Sequence, residues 1–157
     1  MRTKHNRVQM ALESVALLML VGMFGLLLDG WDRIPARIPI HYDAWGCPDL
    51  FSEKTDLIFL PLVGLFLYAM LSLFVYFPSL WSLPERLTRR HPAAVYSAFK
   101  TGLLCVKTET MALFFYLTVQ NLMPDPMVFY TLWVLIAFLL LGLGTMAVTL
   151  VVLHKRK

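Results

Sequence analysis

Three ionisable residues, Glu13, Lys107 and Glu109, lie inside stretches that are otherwise apolar. A charge within a membrane span is expensive and normally faces protein interior or water, so these positions are where chemistry would concentrate. At ~1.5 Å of rise per residue, Glu13 falls roughly 8 Å and Lys107 roughly 10 Å inside the same boundary. The returning spans bring Ser72, Thr145 and Thr149 to similar depth, so several spans contribute to one polar layer. Lys107 and Glu109 are about 200° apart around a helix and do not face each other. A Glu13–Lys107 pair across two spans is the natural solution, and Glu109 then needs hydroxyl partners or a proton. Two readings follow. One is a proton- or ligand-responsive site opening to the cytoplasm. The other is interhelical polar glue, with Lys107 reaching toward the headgroups.

A second group of chemically able residues lies in a loop: His41, Asp43 and Asp49. Two carboxylates and one imidazole suit a hard or borderline cation. Structural metal sites have a fuller ligand set, so no metal is assigned. His41 and Asp49 are read instead as hydrogen-bonding loop backbone and so holding the cap in shape. Asp49 and Lys54 are close enough in sequence for a local ion pair, which is worth little when exposed.

The elements that must position these residues are four long apolar stretches, about Val8–Leu28, Leu57–Phe77, Gly102–Leu122 and Met127–Leu153. Each has the roughly 20 apolar residues needed to cross a ~30 Å hydrocarbon core. Backbone amides cannot stay unpaired in lipid, so a span is either a helix or part of a closed barrel. The period-2 alternation of a barrel is absent, and Leu132–Leu143 is apolar on every face. Composition agrees: the chain is 59% hydrophobic and 15% charged, against ~25% charged in a typical soluble domain. Residues 1–157 therefore read as one all-α membrane domain, a four-helix bundle with an ordered extracytoplasmic loop, 29–56, between helices 1 and 2.

Cations set the topology. Arg2, Lys4 and Arg7, then Arg86, Arg89, Arg90 and Lys100, then Lys155, Arg156 and Lys157 fall on one side, against Arg33, Arg37 and Lys54 on the other. The positive-inside rule puts both termini in the cytoplasm and loop 29–56 outside. The net charge of +4 then points to anionic lipid headgroups as partners. A basic tail before the first stretch suits a signal peptide, but no small-x-small cleavage site follows. Uncut, the stretch is the first membrane helix. Tyr96 and Phe99 beside Lys100 read as a short interfacial segment, not a nucleic-acid surface. Cys47 and Cys105 fall on opposite sides of the membrane, which excludes a disulfide between them.

Within the loop, Pro35, Pro39 and Pro48 remove donors and push the residues before them toward extended backbone. Ile38–Tyr42 reads as strand-like, residues 43–46 as a turn using Gly46, and Ser52 or Thr55 as a cap for helix 2. Pro35, Ile38, Pro39, His41, Tyr42, Asp43, Gly46, Pro48, Asp49 and Lys54 together reproduce a spaced pattern. Through it the chain resembles the domain of unknown function 1648 (DUF1648) family of prokaryotic membrane proteins over about residues 30–65. Asp43 departs from that pattern, standing where Asn is common, and so does Cys47. The family is related to membrane immunity proteins of peptide-toxin producers, so the resemblance implies an immunity or sensing role.

No Ser/His/Asp set, HExxH, phosphate loop or nucleotide fingerprint is present. The expectation is a non-enzymatic prokaryotic membrane protein without cofactor. It binds or senses a peptide or membrane-protein partner through its outer cap, with possible immunity to a membrane-active peptide. The alternative is a small transporter or channel-like subunit using the Glu/Lys layer.

Overall fold

The computed structural model describes residues 5–43, 47–81, 83, 92–122 and 128–155. Helix α1 spans Arg7–Gly30, α2 Phe59–Tyr76, α3 Pro92–Leu122 and α4 Val128–Lys155. Between α1 and α2 lie a 3-10 turn at Trp31–Arg33, strands β1 (Arg37–Tyr42) and β2 (Pro48–Glu53), and a 3-10 turn at Lys54–Ile58. Among the described residues, three segments are long and apolar enough to cross a membrane: Arg7–Arg33, Lys54–Tyr76 and Pro92–Leu122. The fourth expected span is a helix, and its described apolar run is the shorter Ile136–Thr149.

Helix α1 starts where Asn-x-x-Gln closes a capping box. The Asn6 side chain accepts from the Gln9 amide at 2.8 Å, and Gln9 Oε1 accepts from the Asn6 amide at 3.1 Å. The same Gln9, almost fully buried, donates through Nε2 to Ser97 O at 3.2 Å and Thr101 Oγ1 at 3.0 Å. One residue therefore both starts α1 and ties it to α3. Farther along, Ala16, Leu20, Met23 and Leu27 recur three to four residues apart and are buried, while Leu18, Val21 and Leu28 on other faces are exposed. An apolar exposed face of this length fits lipid, not water.

Helix α3 packs against α1, α2 and α4. It is the least apolar of the three spans. The most surrounded helix thus carries the most polar groups, because its neighbours keep them from hydrocarbon. Ala16, Leu20, Met23 and Met111 form the core between α1 and α3, with Leu67 and Tyr68 of α2 against it. Close approach needs small residues: a Cβ on Gly64 would lie 2.9 Å from Met23 Cε, and one on Gly102 would lie 2.6 Å from Thr149 Oγ1.

Strands β1 and β2 pair antiparallel, with Arg37 opposite Glu53, Pro39 opposite Phe51 and Tyr42 opposite Pro48, and the register slips around His41. A lone hairpin is marginal in water. This one is held by a second core of Leu27, Ile34, Ile38 and Leu57, closed by Trp31, Leu60 and Leu122.

Three expectations are corrected. Neither Ser52 nor Thr55 caps α2, which follows directly from the 3-10 turn without a side-chain cap; Ser52 donates instead to Asp56. The third helix begins ten residues before the expected Gly102, at Pro92. Tyr96, Phe99 and Lys100 therefore belong to its first turns, not to a separate interfacial segment. There Trp81 stacks on Tyr96 at 5.7 Å and tilts against Phe99 at 5.0 Å, while its Nε1 donates to Phe74 O at 2.6 Å near the end of α2.

Candidate functional site

Glu13 of α1, Tyr68 and Ser72 of α2 and Lys107 of α3 meet in one cluster. Lys107 is fully buried, and its ammonium donates to Glu13 Oε1 at 2.6 Å and to Ser72 Oγ at 2.7 Å. The third side of the ammonium faces the Tyr68 ring, 3.5 Å from its centroid. Tyr68 in turn donates its hydroxyl to Glu13 Oε1 at 2.7 Å, and Ser72 donates to Tyr68 O at 2.6 Å. An ammonium has three donors, and each here has a partner. That satisfaction is what makes a buried cation tolerable. Glu13 Oε2 is buried and has no hydrogen-bond partner among the described residues. Thr108 adds a weaker tie beside the pair, its one hydrogen shared between Leu104 O of its own helix at 2.8 Å and Leu12 O of α1 at 3.2 Å.

The Glu13–Lys107 pair is therefore formed, and Ser72 joins it. Tyr68 is a further member, which the sequence analysis does not place in the layer. Its four-residue spacing from Ser72 was the available signal.

Glu109 is elsewhere. It points from α3 toward α4, where Thr145 Oγ1 donates to Glu109 Oε1 at 2.6 Å. Thr149 does not join it: its hydroxyl bonds Thr145 O at 2.8 Å, and its side chain packs on Gly102. The expected single polar layer is thus two separate sites on opposite faces of α3, with Thr149 in neither.

The loop places its residues differently from expectation. His41 Nδ1 and Asp49 Oδ1 are 2.6 Å apart, both exposed. Asp43 Oδ1 accepts from the Cys47 amide at 2.8 Å, and the Asp43 amide donates to Cys47 O at 2.9 Å. Gly46 lies outside the described residues. No group of three metal-ligating side chains occurs among the described residues. Lys54 does not pair with Asp49. Its Nζ donates to Trp31 O at 3.5 Å and sits 4.8 Å over the Trp31 ring, while its amide donates to Ala36 O at 3.0 Å. Lys54 thus clamps the foot of the hairpin to the end of α1. Pro48 opens β2, where its missing donor does least harm, and Pro35 precedes β1. Cys47 and Cys105 are both free thiols.

Comparison with known proteins bears on the hairpin. Residues 18–65 match the family model described as domain of unknown function (DUF1648). The match runs from α1 through the hairpin into α2. It includes the whole second core apart from Leu122, and it excludes Glu13, Ser72, Lys107 and Glu109. No curated protein and no solved structure matches the chain.

Proposed function

We propose that this is a non-enzymatic, multi-pass protein of a prokaryotic cytoplasmic membrane that binds a partner through the hairpin loop. Its four helices form a bundle, both termini lie in the cytoplasm, and loop 29–56 is an ordered cap on the outer side. The partner is a membrane-active peptide or another membrane protein, and binding confers immunity or sensing. One observation carries this reading. The hairpin is anchored from beneath by Ile34, Ile38 and Leu57, yet it leaves Ile40, Leu50 and Phe51 more than half exposed beside the His41–Asp49 pair. Apolar side chains exposed on both faces of the anchored hairpin, beside a polar pair and at the ends of the apolar helices, offer contacts to an amphipathic peptide.

The transport alternative needs a connected polar layer. The division of Glu13–Lys107 from Glu109 and the full burial of Lys107 count against it. The test is protection of cells from a cationic amphipathic peptide added outside. Expression of the protein raises the tolerated dose, and Leu50→Ser with Phe51→Ser removes the gain while membrane insertion is kept. Protection that survives both substitutions overturns the reading.

A further inference from the structure

We propose that the seam between α3 and α4 at Glu109 is a binding site for a membrane-dissolved amphiphile with a primary ammonium head and an alkyl chain. This site lies outside the hairpin and stands whether or not the hairpin binds a partner.

A carboxylate offers about four acceptor positions, whereas a threonine hydroxyl carries one hydrogen. Thr145 supplies that hydrogen to Glu109 Oε1 at 2.6 Å and has a competing acceptor, Leu141 O, at 2.9 Å. Glu109 Oε2 is buried and has no hydrogen-bond partner among the described residues. The Lys107 ammonium is committed to Glu13 and Ser72, and no cation pairs with Glu109 among the described residues. A buried acceptor left in this state is costly, and a ligand N–H would satisfy it.

The surroundings admit such a ligand. Glu109 lines a groove of about 500 Å³ with Val106, Leu113, Phe138 and Leu139, within the usual size of ligand pockets. Gly142 borders the carboxyl: a Cβ there would lie 3.4 Å from Oε2, in ordinary van der Waals contact. The result is one oriented carboxyl at the wall of an apolar trough. A turn of the Glu109 carboxyl brings Oε2 to the groove wall, where the ammonium donates to it, and the ligand chain lies along the Val106, Leu113, Phe138 and Leu139 side chains. An anionic head meets the carboxylate and is rejected.

Dodecylamine is the probe, with laurate as its anionic counterpart, on the full-length protein in a detergent of neutral head group. Saturating dodecylamine raises Tm by about 4 °C; laurate leaves it unchanged. Glu109→Gln, which keeps the shape and removes the charge, loses most of the shift. A dodecylamine with a diazirine at its chain end labels segments 106–113 and 138–143, and unlabelled dodecylamine competes it away. This second measurement stands even if Glu109→Gln folds poorly. An equal shift in Glu109→Gln, an equal shift with laurate, or label spread evenly over the lipid-facing helices overturns the proposal.

Discussion

Removing the charge from Glu13 should damage the protein more than removing Lys107. Glu13→Gln leaves an acceptor for Lys107 and Tyr68 but takes away the one negative charge that pairs with the ammonium among the described residues. Lys107 is fully buried, so the cation then has the Ser72 hydroxyl, a neutral amide oxygen and the Tyr68 ring face. Breaking a buried pair from one side costs about 3–5 kcal/mol. The retained acceptor places this case near the lower end, about 3 kcal/mol. Lys107→Met leaves Glu13, which is less enclosed than Lys107, at 19% against 0% exposed, and keeps the Tyr68 hydroxyl on Oε1, with Oε2 still unpartnered among the described residues. Its cost is that of an under-satisfied polar group, about 1–2 kcal/mol. The double variant has neither charge stranded and should recover about 2 kcal/mol relative to the sum of the singles.

For a domain of this size a kilocalorie moves Tm by about 2–4 °C. Glu13→Gln should therefore lower Tm by about 6–12 °C and Lys107→Met by about 2–8 °C, on the same scale. Thermal unfolding in detergent, read by helical circular dichroism, separates these values. Strict additivity would show that the two groups are not coupled. A Lys107→Met loss clearly exceeding that of Glu13→Gln would refute the burial argument itself.

Three further outcomes follow from the packing. Gly102→Val should lower Tm, because its Cβ falls 2.6 Å from Thr149 Oγ1 and 2.9 Å from Thr149 Cγ2, and Thr149→Ala should restore part of the loss by opening that space; no rescue would mean the α3–α4 contact lies elsewhere. Ile38→Asp puts a carboxylate into the core under the hairpin and should expose residues 31–58 to protease while the helices stay inserted; unchanged cleavage would mean the hairpin is not held from beneath. His5 sits against the Tyr76 ring, and burial, followed by the nearby Lys100 and Lys107, holds its imidazole below the ordinary value of 6.5, with Glu13 opposing them. The unfolded chain then binds the proton more readily, so this stability is present above about pH 6.5 and falls as pH drops through the folded value. Thermal scans between about pH 7.5 and 5.5 should show a decline that His5→Phe reduces; an unchanged slope would exclude His5 as its source.

What the sequence discloses depends on the range of the interaction. The apolar runs announce their helices because the requirement, crossing hydrocarbon, is met within each run. The Glu13–Lys107 contact is also legible, since depth and helical angle leave few other partners for two buried charges. The hydroxyl partner of Glu109 follows from the same reasoning. Strand β2 is not legible: Pro48, Asp49, Ser52 and Glu53 give no alternation, and its pairing is made by backbone bonds to β1. The first turns of α3 are hidden because Ser97, Lys100 and Thr101 interrupt the apolar run, and only the packing of Trp81 and Gln9 explains their helix. Lys54 was paired by proximity with Asp49, whereas the Trp31 ring and carbonyl offer it a partly buried seat. The capping box at Asn6 was readable from its spacing.

The separation of the two carboxylates follows from helix geometry. Lys107 and Glu109 stand two residues apart, so α3 must present them to opposite sides. One side is filled by α1 and α2 and the other by α4. The Lys107 ammonium can serve Glu13 or Glu109, but not both. Exchange between them would require α3 to turn by roughly half a revolution. Several contacts resist that turn: Gln9 bound to Ser97 and Thr101, Thr108 bound to Leu12, and Gly102 set against Thr149. A mechanism that passes an ion from one carboxylate to the other would have to break all of them in each cycle. A fixed pair that locks three helices, and a second carboxyl held by Thr145 through one oxygen, needs none of them to move.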